Sequence, residues 1–244
     1  VSLAIGTTAV IVLLFVLWRY VFFFRNPRRD VPIDPDLVLS PADGVVVYVR
    51  RVEPASGRPI LSIKGEKVLR LDDLMHLDDD RLKGKAGILV GILMTPFDVH
   101  YNRAPVAGRL KKIAHDFPAP RRFPAENRCM FNALSNLVFD ERPFTHDCDY
   151  VVTNERASYV IANERESVYV TQIAERWIRR IATLKDDGPV AQGEVFGLIR
   201  MGSQVDLFVP DEAGFEPRIR ERQRVLAGLT VLMARTPGRE AAQI

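Results

Sequence analysis

The sequence predicts a mainly β protein, a barrel or sandwich of short strands, with one N-terminal helix that anchors it to a membrane. Three observations predict this. The chain opens on an apolar stretch with no charge before Arg19. The rest breaks into short apolar or alternating runs, most of them bounded by Gly, Pro, Asn or Asp. Past the opening, only 126–139 carries a pattern that holds a few helical turns. At 244 residues and 47% hydrophobic, the chain can bury a substantial core, as one large domain or as one domain with an appendage.

The opening segment, "VSLAIGTTAVIVLLFVLWRYVFFFRNPRRD", is long enough to cross a bilayer. Roughly 20 apolar residues at 1.5 Å each span a hydrocarbon core of about 30 Å. Trp18 and Tyr20 suit an interface, and Arg19 can snorkel to it. A cleaved signal peptide is the alternative, but it needs a positive n-region, and small-residue cleavage signals are missing around Phe22–Arg25. Arg25, Arg28 and Arg29 predict that the remainder faces the cytoplasm. The expected organisation is an anchor over 1–25 and one domain over 26–244.

Beyond the anchor, strands are expected at 44–52, 58–65, 86–94, 108–115, 158–162, 167–174, 194–200 and 205–210. "DLVLSPAD" is too short for a helix. Two phrases, "SPADGVVVYV" (40–49) and "RAPVAGRLKKI" (103–113), share a Pro that enters a turn, a Gly that closes it and a strand that follows. "RQRVLAGLTVLM" (222–233) repeats the pattern more loosely. Ordinary hairpin punctuation accounts for such matches, but the set also resembles the hammerhead strands of lipoyl- and biotinyl-type hybrid barrels.

Composition removes several function classes. Lys+Arg 34 against Asp+Glu 31 is too small an excess to indicate nucleic acid, and no basic-aromatic motif accompanies it. Two cysteines, Cys129 and Cys148, form neither a disulfide framework nor a CxxC pair. Acidic "LDDLMHLDDD" around His76 reads as a solvated loop, and "HDC" at 146–148 with Cys129 matches no standard zinc spacing, so no metal is expected.

Two places carry candidate chemistry. In "MTPFDVHYNRAPVAG" (94–108), an extended chain would set Asp98, His100 and Asn102 on one face by its period of two. A lone histidine is ordinarily structural, so this one needs a partner nucleophile. "GLIRMGSQVDLFVP" (197–210) supplies a candidate: an apolar strand interrupted by the only Gly-Ser dipeptide in the chain. Gly202 lacks a Cβ, so the hydroxyl of Ser203 can reach the preceding carbonyl and exchange the amide for an ester, given a base and an oxyanion donor. A Gly-Ser β-bulge without chemistry is the plain alternative.

Taken together, "RNPRRDVP", "SPADGVV", "MTPFDVHYNRAPVAG", "NER", "VTQIAERWIRRI" and "GLIRMGSQVDLFVP" fall in the order seen in phosphatidylserine decarboxylase proenzymes of the compact bacterial and archaeal type, and the chain resembles that family. Residues 116–151 carry none of the resemblance. It implies self-cleavage between Gly202 and Ser203 into a β chain 1–202 and an α chain 203–244, with Ser203 becoming a covalent pyruvoyl group. That group would form a Schiff base with the amine of phosphatidylserine and draw electrons as CO₂ departs, giving phosphatidylethanolamine.

By the same resemblance, Asp43 is the acidic member of the self-processing triad, and His100 handles substrate and delivers a proton. Long-form members carry a second histidine where this chain has Arg103, so the processing base is either His100 acting twice or another group. Arg103 and Asn102 are the candidates for binding substrate, the guanidinium toward the lipid phosphate or the serine carboxylate. The implied partners are a phospholipid in the cell membrane and the two chains of one precursor, with homo-oligomerisation left open and no nucleic acid. Archaetidylserine or another serine phospholipid is the alternative substrate. A non-catalytic, membrane-anchored β domain is the alternative class. A lipoyl or biotin carrier is disfavoured, because no lysine has the required hairpin-tip setting.

Overall fold

A computed structural model describes residues 2–53, 61–63, 67–69, 71, 75, 82, 84–117, 151, 154–174, 181–200 and 203–235. Helix α1 spans Ser2–Leu17 and continues through one π-helical turn, Trp18–Phe22. Leu3–Phe22 is apolar on every side and is not buried against the rest of the chain. Such a helix is at home in lipid rather than on a protein surface. The π turn closes with the Phe23 amide donating to the Trp18 carbonyl at 2.8 Å, and Phe23 is the first residue of the segment to be buried.

Sixteen strands follow among the described residues. They are β1 (Leu37–Leu39), β2 (Gly44–Val52), β3 (Leu61–Ile63), β4 (Lys67–Leu69), β5 (Gly87–Met94), β6 (Tyr101–Arg103), β7 (Gly108–Asp116) and β8 (Glu155–Ala162). The remainder are β9 (Ser167–Ala174), β10 (Ile181–Thr183), β11 (Asp187–Val190), β12 (Val195–Ile199), β13 (Ser203–Pro210), β14 (Phe215–Pro217), β15 (Arg224–Val225) and β16 (Val231–Arg235). Eight of them form the main sheet, ordered β11-β7-β8-β9-β13-β5-β2-β15. Two three-stranded sheets, β1-β16-β14 and β10-β12-β6, and the hairpin β3-β4 complete the fold. The mainly β expectation holds, with the main sheet open rather than closed into a barrel.

The main sheet is covered on both faces. Along β13, Val205, Leu207 and Val209 join one apolar cluster with Val46, Val90, Ile92 and Val170. Phe208 points the other way, into a cluster with Tyr48, Leu89, Leu93 and Ile173. Central strand β5 is therefore buried at every position, which is why "GILVGILM" reads as a continuous apolar run instead of an alternating one. Gly91 lets this layer close, since a Cβ there would lie 2.3 Å from the Tyr48 ring.

The expected strands appear with small shifts, except that 58–65 is described only at Leu61–Ile63. The expected helix over 126–139, His76 and the Cys129 with His146–Cys148 grouping lie outside the described residues. No grouping of three metal-ligating side chains occurs among the described residues.

A polar group sits inside the second cluster. Asp206 is fully buried, and its Oδ1 accepts from the Tyr48 hydroxyl and Gln204 Nε2, both at 2.7 Å. Burial pushes its carboxyl up to about 7, against a smaller opposing effect of those two donors. A raised carboxyl stabilises the fold fully below its unfolded value of 3.8 and loses that contribution as pH rises through about 7. Asp206→Asn is therefore expected to raise the melting temperature relative to wild type by more at about pH 8.5 than at about pH 5.5. Equal shifts at both pH values, read by thermal denaturation, would contradict this.

Candidate active site

The candidate residues converge at one end of the main sheet. At that end β13 begins at Ser203, in register with Ala174 of β9 on one side and Met94 of β5 on the other. One strand further, Gly44 opens β2 and pairs with Val225 of β15. Gly44 has φ +154, and a Cβ there would meet the Leu93 carbonyl oxygen at 2.3 Å, so glycine is required for the chain to enter β2 at this point. Asp43, the residue before it, is fixed by that entry.

Asp43 is buried and occupied on both oxygens. Arg29 reaches it with Nη1 at 2.6 Å and Nη2 at 2.8 Å, and the Ala227 amide donates to Oδ1 at 2.7 Å. Both side chains are only 5% exposed. Removing one member of a pair buried this deeply costs roughly 3–5 kcal/mol, because the other charge is left uncompensated. Among the described residues, no hydrogen bond joins Asp43 to His100.

His100 lies in the connection from β5 to β6. A turn, Thr95–Asp98, closes with the Asp98 amide on the Thr95 carbonyl at 3.0 Å, and Asp98 Oδ2 accepts from the Thr95 amide at 2.8 Å. Arg224 holds the other oxygen of Asp98. This turn delivers His100 into the interior at 1% exposure. Its Nδ1 lies 2.9 Å from the Asp98 carbonyl, which can only accept, so the proton is on Nδ1 and the lone pair on Nε2. Phe23 stacks on the ring with centroids 4.0 Å apart. Desolvation lowers the His100 pKa to about 4, against weaker raising effects of the Asp98 carbonyl and carboxylate. The imidazole is neutral at physiological pH.

The main-chain path ties this histidine to Ser203. The Ile199 amide, at the end of β12, donates to the His100 carbonyl at 3.1 Å, and β13 begins four residues later. Gly202 and the side chain of Ser203 lie outside the described residues.

Asn102 and Gln172 form a hydrogen-bonded pair near the start of β13. Asn102 is fully buried on β6, with Nδ2 4.0 Å from the Met94 sulfur and 3.5 Å from the Pro41 carbonyl, both weak contacts. Its Oδ1 accepts from Gln172 Nε2 at 2.6 Å. Gln172 is the diagonal neighbour of position 203 across β9 and β13, within reach of a long side chain. Its Oε1 is buried and finds no partner among the described residues. Native proteins seldom leave such an atom unpaired without a use for it.

Arg103 lies near the Arg29–Asp43 pair, whose two charges act on it in opposite directions. Its guanidinium donates to the Gly193 carbonyl at 2.9 Å and Asn26 Oδ1 at 2.7 Å, with a longer contact of 3.3 Å to the Pro27 carbonyl. It thereby fastens the segment that follows the apolar helix. Arg25 does the same one turn earlier, donating to the Phe22 carbonyl at 2.9 Å and the Phe97 carbonyl at 2.6 Å.

Three residues of this site escape a reading of the sequence. Arg29 looks like the basic flank of a membrane segment, and no local pattern links it to Asp43. Phe23 belongs to an aromatic run whose apolar character fits the bilayer equally well. Gln172 does leave a trace, as one of two adjacent polar residues, with Thr171, inside the otherwise apolar run 168–174.

Comparison with known proteins gives this arrangement its class. The family model described as phosphatidylserine decarboxylase matches residues 16–233. A phosphatidylserine decarboxylase proenzyme of Nitratidesulfovibrio vulgaris is 31% identical over 228 residues, covering 93% of this chain and 82% of the relative. One from Novosphingobium aromaticivorans is 34% identical over 211 residues, covering 86% and 69%. A protein of Methanothermobacter thermautotrophicus named "Putative archaetidylserine decarboxylase proenzyme" is 32% identical over 248 residues, covering 100% and 93%. The family match and these relatives, named as proenzymes, define the class as carboxy-lyase. The chain belongs to the phosphatidylserine decarboxylase family.

Proposed function

We propose that this chain decarboxylates phosphatidylserine to phosphatidylethanolamine after cutting itself between Gly202 and Ser203. The observation that carries the proposal is the convergence at the start of β13. Ser203 begins a strand in register with Met94, which touches Asn102, just after a strand whose end is bonded to His100.

In the first stage the Ser203 hydroxyl attacks the Gly202 carbonyl, and the amide becomes an ester. Neutral His100, with its lone pair on Nε2, is the base we assign to this step, acting again in turnover in place of a second histidine. A proton taken up in so dry a setting is readily passed on. β-Elimination then breaks the Ser203 Cβ–O bond and leaves Gly202 as a carboxylate. Hydrolysis of the resulting unsaturated terminus consumes water, releases ammonia and leaves a keto group.

The residues present suit that pyruvoyl group, which supplies the electron sink for CO₂ loss when it is formed. Asn102 Nδ2 has donor capacity to spare for a carboxylate or oxyanion, and Gln172 holds its carboxamide in that orientation while offering Oε1 to an amine. Asp43 serves by fixing the β2 entry with Arg29, and Arg103 by holding Asn26 and Pro27. Residues 3–22 keep the domain on the cytoplasmic face of the membrane, so the diacyl substrate is met by search in two dimensions.

Archaetidylserine is the second reading, supported by the relative that matches the whole chain. Purified full-length protein given ester-linked phosphatidylserine vesicles labelled at the serine carboxyl is expected to release labelled CO₂ and form phosphatidylethanolamine. Release only from ether-linked archaetidylserine would favour the second reading, and release from neither would contradict both.

A further inference from the structure

We propose that the turn Thr95–Asp98 is a second membrane contact, with Phe97 seated among lipid headgroups beside the end of the apolar helix. The inference rests on reading residues 3–22 as a membrane anchor. Phe97 is 66% exposed, an unusual state for a large aromatic on a turn tied down by its own hydrogen bonds. Its carbonyl accepts from Arg25, and the same guanidinium donates to the Phe22 carbonyl and lies 3.8 Å from the centre of the Phe22 ring. One cation thus fixes Phe97 at the level of Phe22, the last residue of a stretch whose length matches the hydrocarbon core.

Aromatic side chains favour that depth, where the ring sits in the interface. The charges nearby suit an anionic surface. Arg28 is exposed, and Arg224, which holds Asp98, keeps its side chain 61% exposed. Each basic residue close to such a surface contributes about 1 kcal/mol. Phe22, Phe97, Arg25 and Arg224 therefore make one rim, apolar toward lipid and cationic toward headgroups.

The geometry has a consequence for the substrate. His100 is two residues beyond the turn and stacks on Phe23, the residue after Phe22. With Phe97 docked, the turn that leads into the buried His100 lies at the level of the headgroups, next to the membrane that holds the lipid substrate.

The test uses full-length protein in anionic vesicles whose acyl chains are brominated near the headgroup end, with tryptophan emission as the readout. In a background carrying Trp18→Phe and Trp177→Phe, Phe97→Trp supplies the only emitter. A parallel protein with Trp177→Phe alone reports on the helix through Trp18. A blue shift and bromine quenching at both positions are expected. Quenching of Trp18, with emission from position 97 lost to aqueous iodide instead of bromine, would overturn the proposal and leave the anchor standing. Absence of bromine quenching at Trp18 would remove the anchor and the proposal with it.

Discussion

Replacing Ser203 by alanine is expected to leave the chain whole and without decarboxylase activity. In the proposed cut the hydroxyl is first the nucleophile and then, as the ester oxygen, the group whose departure turns Ser203 Cα and Cβ into the carbons of the pyruvoyl group, so no neighbouring group can substitute for it. Stability is expected to stay near that of the wild-type precursor, because β13 keeps its register with β5 and β9 through main-chain bonds that alanine retains. Electrophoresis under denaturing conditions would show one band, and vesicle turnover would fall to background. Wild-type-like turnover by an uncut variant would exclude any role for a group derived from Ser203.

His100→Ala is expected to reduce turnover about 10²–10⁴-fold, the usual contribution of a positioned general acid or base. If His100 also starts the cut, the variant accumulates as precursor, so the cleaved fraction measures its first task and the turnover of cleaved molecules its second. The pH profile gives an independent readout. Because burial lowers the imidazole to about 4, kcat/KM of wild-type enzyme should show no histidine inflection near 6.5. The same shift has a stability sign. A depressed histidine contributes fully above its unfolded value of 6.5, and the contribution is lost as pH falls through about 4. His100→Ala should therefore flatten the acid side of the stability curve. Turnover at wild-type rate would remove His100 from the mechanism.

How much of this was legible depended on whether a signal was local. Strand β5 shows in the sequence because eight consecutive apolar residues leave few other options, and β13 shows because Gly202-Ser203 cuts an apolar run in two. The short strands β6, β10, β14 and β15 did not show, since two or three residues carry no period to detect. The open sheet was not legible either, because closure depends on pairing between β11 and β15, which are remote in sequence and bear no mark of their role.

The site divides the same way. Asp43, His100, Asn102 and Ser203 lie in motifs with recognisable neighbours. Their common location follows from the register of β13 with β5 and from Gly44 at the head of β2, neither of which a linear reading supplies. Arg29 and Arg103 show the opposite case. Each was open to a membrane or substrate role on charge alone, and each is held by buried acceptors far away in sequence. Phe23 reveals its second contact only once His100 is placed against it.

The most direct test of self-cleavage is the intact mass of wild-type protein purified from cells. Two species are expected, one ending at Gly202 and one running from position 203 to Ile244. The smaller should be lighter than an unmodified serine terminus by one ammonia, blocked to Edman degradation and reactive to hydroxylamine. A single species of full length, in protein that releases CO₂ from phosphatidylserine, would contradict the account.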